Sequence, residues 1–332
     1  MRPIQDAFPL LQTPKKIFII THHKPDGDAI GSMLGLSYFL KKMGHEVAAI
    51  EPSEMPEFLT WMPGVDGVLN YEEKPLLCEA AFNEAALIFC LDFNDPSRTK
   101  YLTQQLEQTT TPKIIIDHHL FPKECWDYGM INSAKSSTSE MVYDFINLMG
   151  KNEMIDNNIA TCLYTGLMTD TGSFRFSCTT DETHLMAADL KRKGLNHSII
   201  HEHINDSWSL KRMQFLGYVL LEKMEIFPKE HAGLIALSKQ DLKTFGMNIN
   251  ETEGLVNQPL CIKGVKFATL ITERTDEVRL SFRSKGDYDV NAFARKYFNG
   301  GGHLNASGGK SNSSFLETVT YFKQILSEIH PR

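Results

Sequence analysis

Three short, uninterrupted apolar runs mark the chain: Ile17-Phe18-Ile19-Ile20, Leu87-Ile88-Phe89-Cys90-Leu91 and Ile114-Ile115-Ile116. A strand covered on both faces needs apolar side chains at every position instead of every second one, so these runs predict neighbouring strands of a parallel sheet. Between the first two, Ala29 to Met43 is largely apolar and helical in pattern, stops at Gly44, and is followed by a strand-like Glu46 to Ile50. That order is a βαβ unit. Farther along, Ser137 with Glu140 and Thr179 with Glu182 have capping-box spacing, which predicts helices ending near Gly150 and before Gly194.

After about residue 205 the pattern changes. Trp208 to Glu222 reads as a connecting helix, broken at Phe227-Pro228. Strand patterns follow at Gly233 to Leu237, Gly264 to Thr272 and Val278 to Arg283, then helices near Val290 to Lys296 and Leu316 to Ile329. The expectation is an α/β protein: a parallel-sheet domain over 1–205, a helical linker over 206–225 and a smaller α/β domain over 226–332. A length of 332 residues agrees with two domains, at about 150 residues for each.

Composition narrows the class. Hydrophobic residues make up 42% and charged residues 23%, which excludes fibrous, collagen-like and disordered chains. Lys plus Arg is 34 against 41 for Asp plus Glu, a net charge of −7, so the basic footprint of a long-duplex binder is missing. A short phosphorylated substrate stays open if metal ions or a local Arg/Lys cluster supply positive charge. The six cysteines, Cys78, Cys90, Cys125, Cys162, Cys178 and Cys261, form no CxxC pair and read as reduced thiols. Met1 to Lys16 lacks the apolar core of a signal peptide, and no run approaches the ~18 residues of a membrane span. A cytoplasmic protein with no membrane partner is expected.

The chemistry lies where the predicted strands end. His22 is two residues past Ile20, Asp92 directly follows Leu91, and Asp117-His118-His119 directly follow Ile116. In open α/β sheets ligands bind outside the carboxyl ends of strands, so three segments deliver Asp and His to one edge. Asp26-Gly27-Asp28 alone reads as a turn and helix cap, and a lone Asp92 as a loop residue. Together these residues predict a site. Crowded carboxylates repel one another and protonate unless a cation neutralises them, and a pair of divalent metals is the simplest neutraliser. Asp oxygens with a few His nitrogens and no Cys suit Mn(II) first, with Mg(II), Co(II) or Fe(II) as alternatives. Two such ions can clamp a phosphoryl oxygen and generate a hydroxide, which implies hydrolysis of a phosphate ester or anhydride. Asp170, near a helix end, reads equally as a cap or as a site residue. In the second domain, Asn299 to Gly309 is a glycine-rich loop whose amides could approach a phosphate, with His303 and Arg283 as further donors.

His22-x-x-x-Asp26-x-Asp28, Asp92, Asp117-His118-His119, Asp170 and the Gly300-Gly301-Gly302-His303 run with Gly308 resemble the motifs of the DHH phosphoesterase family. The resemblance is to its two-domain members with a DHH-associated C-terminal domain, of the bacterial nano-RNase and pAp-phosphatase type, and spans essentially the whole chain. It implies one Mn(II) on His22, Asp26 and Asp92 and a second on Asp28, Asp92, His118 and Asp170, with Asp92 bridging. It further implies that His119 faces the substrate phosphate as general acid or charge stabiliser and that Asp117 orients the histidines. Arg283, Ser284, Lys285, Gly301, Gly302, His303 and Ser307 match the segments that grip the distal nucleotide. Ser307 departs from the usual Ala-Ala-Gly ending. The implied substrates are nano-RNA, linear dinucleotides and pAp. Cyclic di-AMP or its linear product, polyphosphate or pyrophosphate, and a non-catalytic nucleotide sensor are the rival readings; a homodimer is compatible with the sequence.

Overall fold

The computed structural model describes residues 1–252 and 254–329. Contacts along the chain divide it into two units, Met1–Ser207 and Trp208–Arg332.

The predicted apolar runs form the centre of the first unit. Its sheet has seven strands, β1 (Arg2–Pro3), β2 (Lys16–Ile20), β3 (Glu46–Glu51), β4 (Val68–Asn70), β5 (Leu87–Leu91), β6 (Lys113–Asp117) and β7 (Tyr128–Ile131), in the order β1-β7-β6-β5-β2-β3-β4. Every pairing is parallel. Because side chains alternate across a strand, Ile17, Ile19, Leu87 and Phe89 enter one buried cluster while Phe18, Ile20, Ile88 and Cys90 enter another. Both faces are therefore dry, which is why the runs are continuous.

The helices are α1 (Gly27–Lys42), α2 (Pro75–Glu84), α3 (Thr103–Gln108), α4 (Thr138–Leu148), α5 (Asn157–Asp170), α6 (Asp181–Arg192) and α7 (His197–Asn205). Helices α1 and α5 approach closely at Gly31, where a Cβ would lie 2.6 Å from the Cys162 carbonyl oxygen. Ser137 caps α4 by accepting the Glu140 N–H at 3.0 Å, but the capping box stays half made. The Glu140 carboxylate turns instead to the Ser136 N–H and the Lys135 ammonium. For α6 the cap is Thr180, one residue beyond the expected Thr179, with Thr183 as its reciprocal partner.

In the second unit, α8 (Leu210–Tyr218) runs into a π-helical turn at Val219–Lys223. The stretch expected as a linker is part of this unit's core, since Phe215 and Val219 are buried with Ile235 and Leu237. The sheet holds β8 (Met224–Phe227), β9 (Ala232–Leu237), β10 (Phe267–Glu273), β11 (Val278–Ser284), β12 (Gly301–Gly302) and β13 (Ala306–Ser311), in the order β12-β13-β11-β10-β9-β8. Only β9 and β10 run parallel. Helices α9 (Lys239–Phe245), α10 (Val290–Tyr297) and α11 (Phe315–Ile325) complete the unit.

The glycine-rich segment is a hairpin and not an open loop. Gly301 and Gly302 pair with Gly308 and Ser307, and a Cβ on Gly300 would collide with the Gly308 carbonyl oxygen. All six cysteines are free thiols. No helix among the described residues is long and apolar enough to cross a membrane.

Candidate metal centre

The carboxyl ends of β2, β5 and β6 lie side by side in the sheet, and each delivers one part of a buried cluster. Just past β2, His22 directs Nε2 toward Asp92 Oδ2 at 3.5 Å and Asp26 Oδ2 at 3.9 Å. Its Nδ1 lies 3.1 Å from the His23 carbonyl oxygen. An Nδ1–H donated to a carbonyl leaves the Nε2 lone pair for a cation.

Asp26 does two things at once. Oδ1 accepts the N–H groups of Asp28 and Ala29 at 3.0 and 3.1 Å, capping α1, while Oδ2 faces His22. The cap and the candidate ligand are therefore one residue, and the helix start fixes the carboxylate's position.

Asp28, inside the first turn of α1, is buried against the start of α4. Oδ2 accepts the Thr138 N–H at 2.6 Å and Oδ1 the Ser139 N–H at 2.8 Å. The approach depends on Gly166 of α5, where a Cβ would collide with Ser139 Oγ and sit 2.7 Å from Asp28 Oδ1. Burial, reinforced by the charge of Asp92, pushes the Asp28 carboxyl up to about 7.

Asp92 occupies the middle. It directly follows β5 with a left-handed backbone, φ +63°, a conformation few residues other than glycine adopt. Oδ1 accepts the Thr138 hydroxyl at 3.0 Å and lies 3.5 Å from His118 Nε2; Oδ2 faces His22. Burial opposes its charge, but His118 and His22 outweigh that and hold the carboxyl well below the usual range.

The triplet at the end of β6 splits its roles. Asp117, fully buried, holds His119 Nδ1 at 2.7 Å. His118 places Nδ1 3.4 Å from the Lys135 carbonyl oxygen and Nε2 3.3 Å from Asp170 Oδ2 and 4.0 Å from Asp28 Oδ2. Burial disfavours charge on His118, yet the carboxylates of Asp92, Asp170 and Asp28 hold its pKa well above the ordinary histidine range. Asp170, the last residue of α5, is pushed well up by desolvation and by Asp28.

Two of the ligand-type groups are His22 with Asp26 and Asp92, and Asp28 with Asp92 and His118, each with donor atoms within 4.8 Å of one another. Asp92 belongs to both, and Asp170 adjoins the second. Among the described residues, the ion-pair partners of Asp26, Asp28, Asp92 and Asp170 are histidines. Four carboxylates opposed by groups that lose their charge on deprotonation are matched to hard divalent cations, so the donor set fits such ions.

Sequence reasoning missed Thr138 and Ser139. Their N–H groups were visible only as the start of a helix capped by Ser137; that the helix end would meet Asp28, more than a hundred residues earlier, is a tertiary fact.

In the second unit the candidate grip residues are partly committed to one another. Ser284 Oγ donates to the Tyr288 carbonyl at 2.6 Å and accepts from Asn305 at 2.8 Å. Lys285 Nζ donates to the Leu260 carbonyl, and Ser307 Oγ to that of His303. Arg283 sits on β11 with Nη1 3.0 Å from the Phe282 carbonyl. The N–H groups of Gly300, Gly302 and His303 go to Ala294 O, Asn291 Oδ1 and Ala306 O. The expected backbone cradle for a phosphate is therefore not formed by these three amides.

Residues 16–167 match the DHH family, N-terminal domain, and residues 236–329 the DHHA1 domain. The chain is 30% identical over 311 residues to the bifunctional oligoribonuclease and PAP phosphatase NrnA of Thermus thermophilus, covering 93% of this chain and 87% of that one. It is 24% identical to the cyclic-di-AMP phosphodiesterase PdeA of Listeria monocytogenes, spanning 96% of this chain but 48% of that protein. Among solved structures, an exopolyphosphatase-related protein from Bacteroides fragilis superposes with a TM-score of 0.93 at 37% identity, over 97% of this chain and 95% of that one. The exonuclease RecJ, crystallised bound to manganese, shares the fold at a TM-score of 0.52 and 13% identity, over 100% of this chain and 96% of that one.

Proposed function

The chain belongs to the DHH family of phosphoesterases, and from that premise we propose that it hydrolyses short oligonucleotides, nano-RNA and linear dinucleotides, to mononucleotides and removes the 3′-phosphate of pAp. The observation that carries this reading is the placement of Asp92, whose Oδ2 faces His22 and whose Oδ1 faces His118, each at 3.5 Å. One residue shared by two ligand groups is what a two-ion phosphoryl site requires.

When bound, a pair of divalent ions, Mn(II) by our reading, supplies a nucleophile at neutral pH and positive charge for the phosphoryl oxygens. His22, Asp26 and Asp92 would hold one and Asp28, Asp92, His118 and Asp170 the other. Asp117 fixes His119 with Nδ1 toward its carboxylate, which leaves Nε2 to give a proton to the leaving oxygen or to stabilise charge on the phosphate. The N–H groups of Thr138 and Ser139 keep both oxygens of Asp28 in place. To the second unit we assign binding of the non-reacting nucleotide, through Arg283 and His303 first, because a guanidinium and an imidazole are donors suited to an anionic phosphate. The free thiols support a cytoplasmic setting.

The test is a product time course by anion-exchange chromatography. Metal-stripped protein receives Mn(II) with 5′-phosphorylated diadenylate, pAp, cyclic di-AMP and polyphosphate in parallel. Conversion of the linear dinucleotide to AMP is the expected result. Turnover of cyclic di-AMP or of polyphosphate alone would overturn the substrate assignment, and turnover of none would favour a nucleotide-binding protein.

A further inference from the structure

Two residues after His119, Phe121 stands 71% exposed. Its backbone is left-handed, φ +58°, and Pro122 follows. A bulky residue rarely adopts that conformation, and a residue preceding proline ordinarily stays extended, so the position is constrained from both sides. The constraint is held by Asn94. Its side-chain Nδ2 donates to the carbonyl of Leu120 at 2.6 Å and lies 3.4 Å from that of Phe121, while its own carbonyl accepts the Lys123 N–H at 2.9 Å.

Asn94 is two residues beyond Asp92, so this loop is fastened to the segment that carries the shared carboxylate as well as to the one that carries His119. Two residues of chain span at most about 7 Å. Phe121 is therefore carried on a segment fastened close to both strand ends that supply the centre, two residues from His119. Strain held in place beside a reactive centre points to use.

We propose that Phe121 is a stacking platform for a nucleobase of the substrate. The idea rests on the nucleotide reading above and adds a specificity element to it. An exposed aromatic face recognises any base by stacking and none by its hydrogen-bonding edge, so the platform favours nucleotides over base-free phosphates without selecting a sequence.

Steady-state kinetics on the full chain with Mn(II) tests this, comparing 5′-phosphorylated diadenylate with an abasic analogue that lacks the bases. Phe121→Ala is expected to raise KM for the diadenylate by about tenfold with kcat changed little, Phe121→Trp to restore it, and neither to affect the abasic analogue. An unchanged KM in Phe121→Ala, or an equal rise with the abasic compound, overturns the proposal. Should the wild type turn over no nucleotide, the functional reading falls, and the fluorescence of Phe121→Trp decides the platform separately. Quenching by AMP but not by ribose 5-phosphate supports it; quenching by neither, or by both equally, overturns it.

Discussion

The hydroxyl of Thr138 donates to Oδ1 of Asp92 across 3.0 Å. Through its N–H the same residue holds Asp28, so one side chain and one peptide group at the start of α4 orient two carboxylates of the centre. Thr138→Val keeps the shape and the N–H but removes the hydroxyl. The expected result is a loss of about 10- to 100-fold in metal affinity or activity, measured by calorimetric titration with Mn(II) and by product release. Unchanged values would mean that Asp92 is positioned without Thr138.

Asp92→Asn removes the charge that both ligand groups share. Hydrolysis is expected to fall to background while circular dichroism stays as in the wild type, and bound Mn(II) to drop below two ions for each chain. Activity near that of the wild type would exclude a shared ligand.

Metal binding competes with protons. In the metal-free protein the Asp28 carboxyl is pushed up to about 7 by burial, so it must lose a proton to hold a cation. Affinity therefore strengthens as pH rises. Between pH 6 and pH 8 this one group contributes roughly tenfold, the gain in its ionised fraction across a pKa near 7. Calorimetry at the two pH values in buffers of different ionisation enthalpy counts the protons released.

Away from the centre, Glu51 is 6% exposed at the end of β3, and burial pushes its carboxyl up to about 7. The folded pKa lies above the unfolded one, near 4.5, so its stabilising contribution is complete below about 4.5 and is lost as pH rises through 7. Glu51→Gln has no such loss. Relative to wild type, the variant should gain roughly 2 to 3 kcal/mol between pH 5 and pH 8 in urea unfolding. A pH-independent difference would show that the carboxyl titrates normally.

Gly166→Ala drives a methyl group into Ser139 Oγ and the Asp28 carboxylate. A destabilisation of about 1 to 3 kcal/mol is expected, together with reduced activity, since α4 and α5 cannot separate without moving Asp28. Thermal unfolding and kinetics on one preparation check both.

Much of this was legible in the chain because its signals are local. Continuous apolar runs betrayed β2, β5 and β6, and the acidic and histidine residues at their ends followed from strand polarity alone. Asp26 was ambiguous between cap and candidate ligand because one of its oxygens caps α1 while the other faces His22. Long-range partners were less readable. Nothing near Thr138 or Ser139 says that their amides meet Asp28, and nothing in the Gly300 to Gly309 run distinguishes a phosphate-binding loop from two backbones packed too closely for a side chain. β7, Tyr128–Ile131, mixes glycine with bulky residues and lacks the unbroken apolar pattern that marked its neighbours.

The left-handed backbone of Asp92 also limits how the centre can change over generations. Of the two acidic residues, aspartate is the one that settles in that conformation with little penalty. A glutamate would preserve the charge but resist the turn, and a glycine would accept the turn but abandon the charge. Asparagine also satisfies the geometry, at the expense of the anion. Every single replacement open to this position thus fails on one count or another, and drift toward a new activity must begin elsewhere, in the surrounding loops.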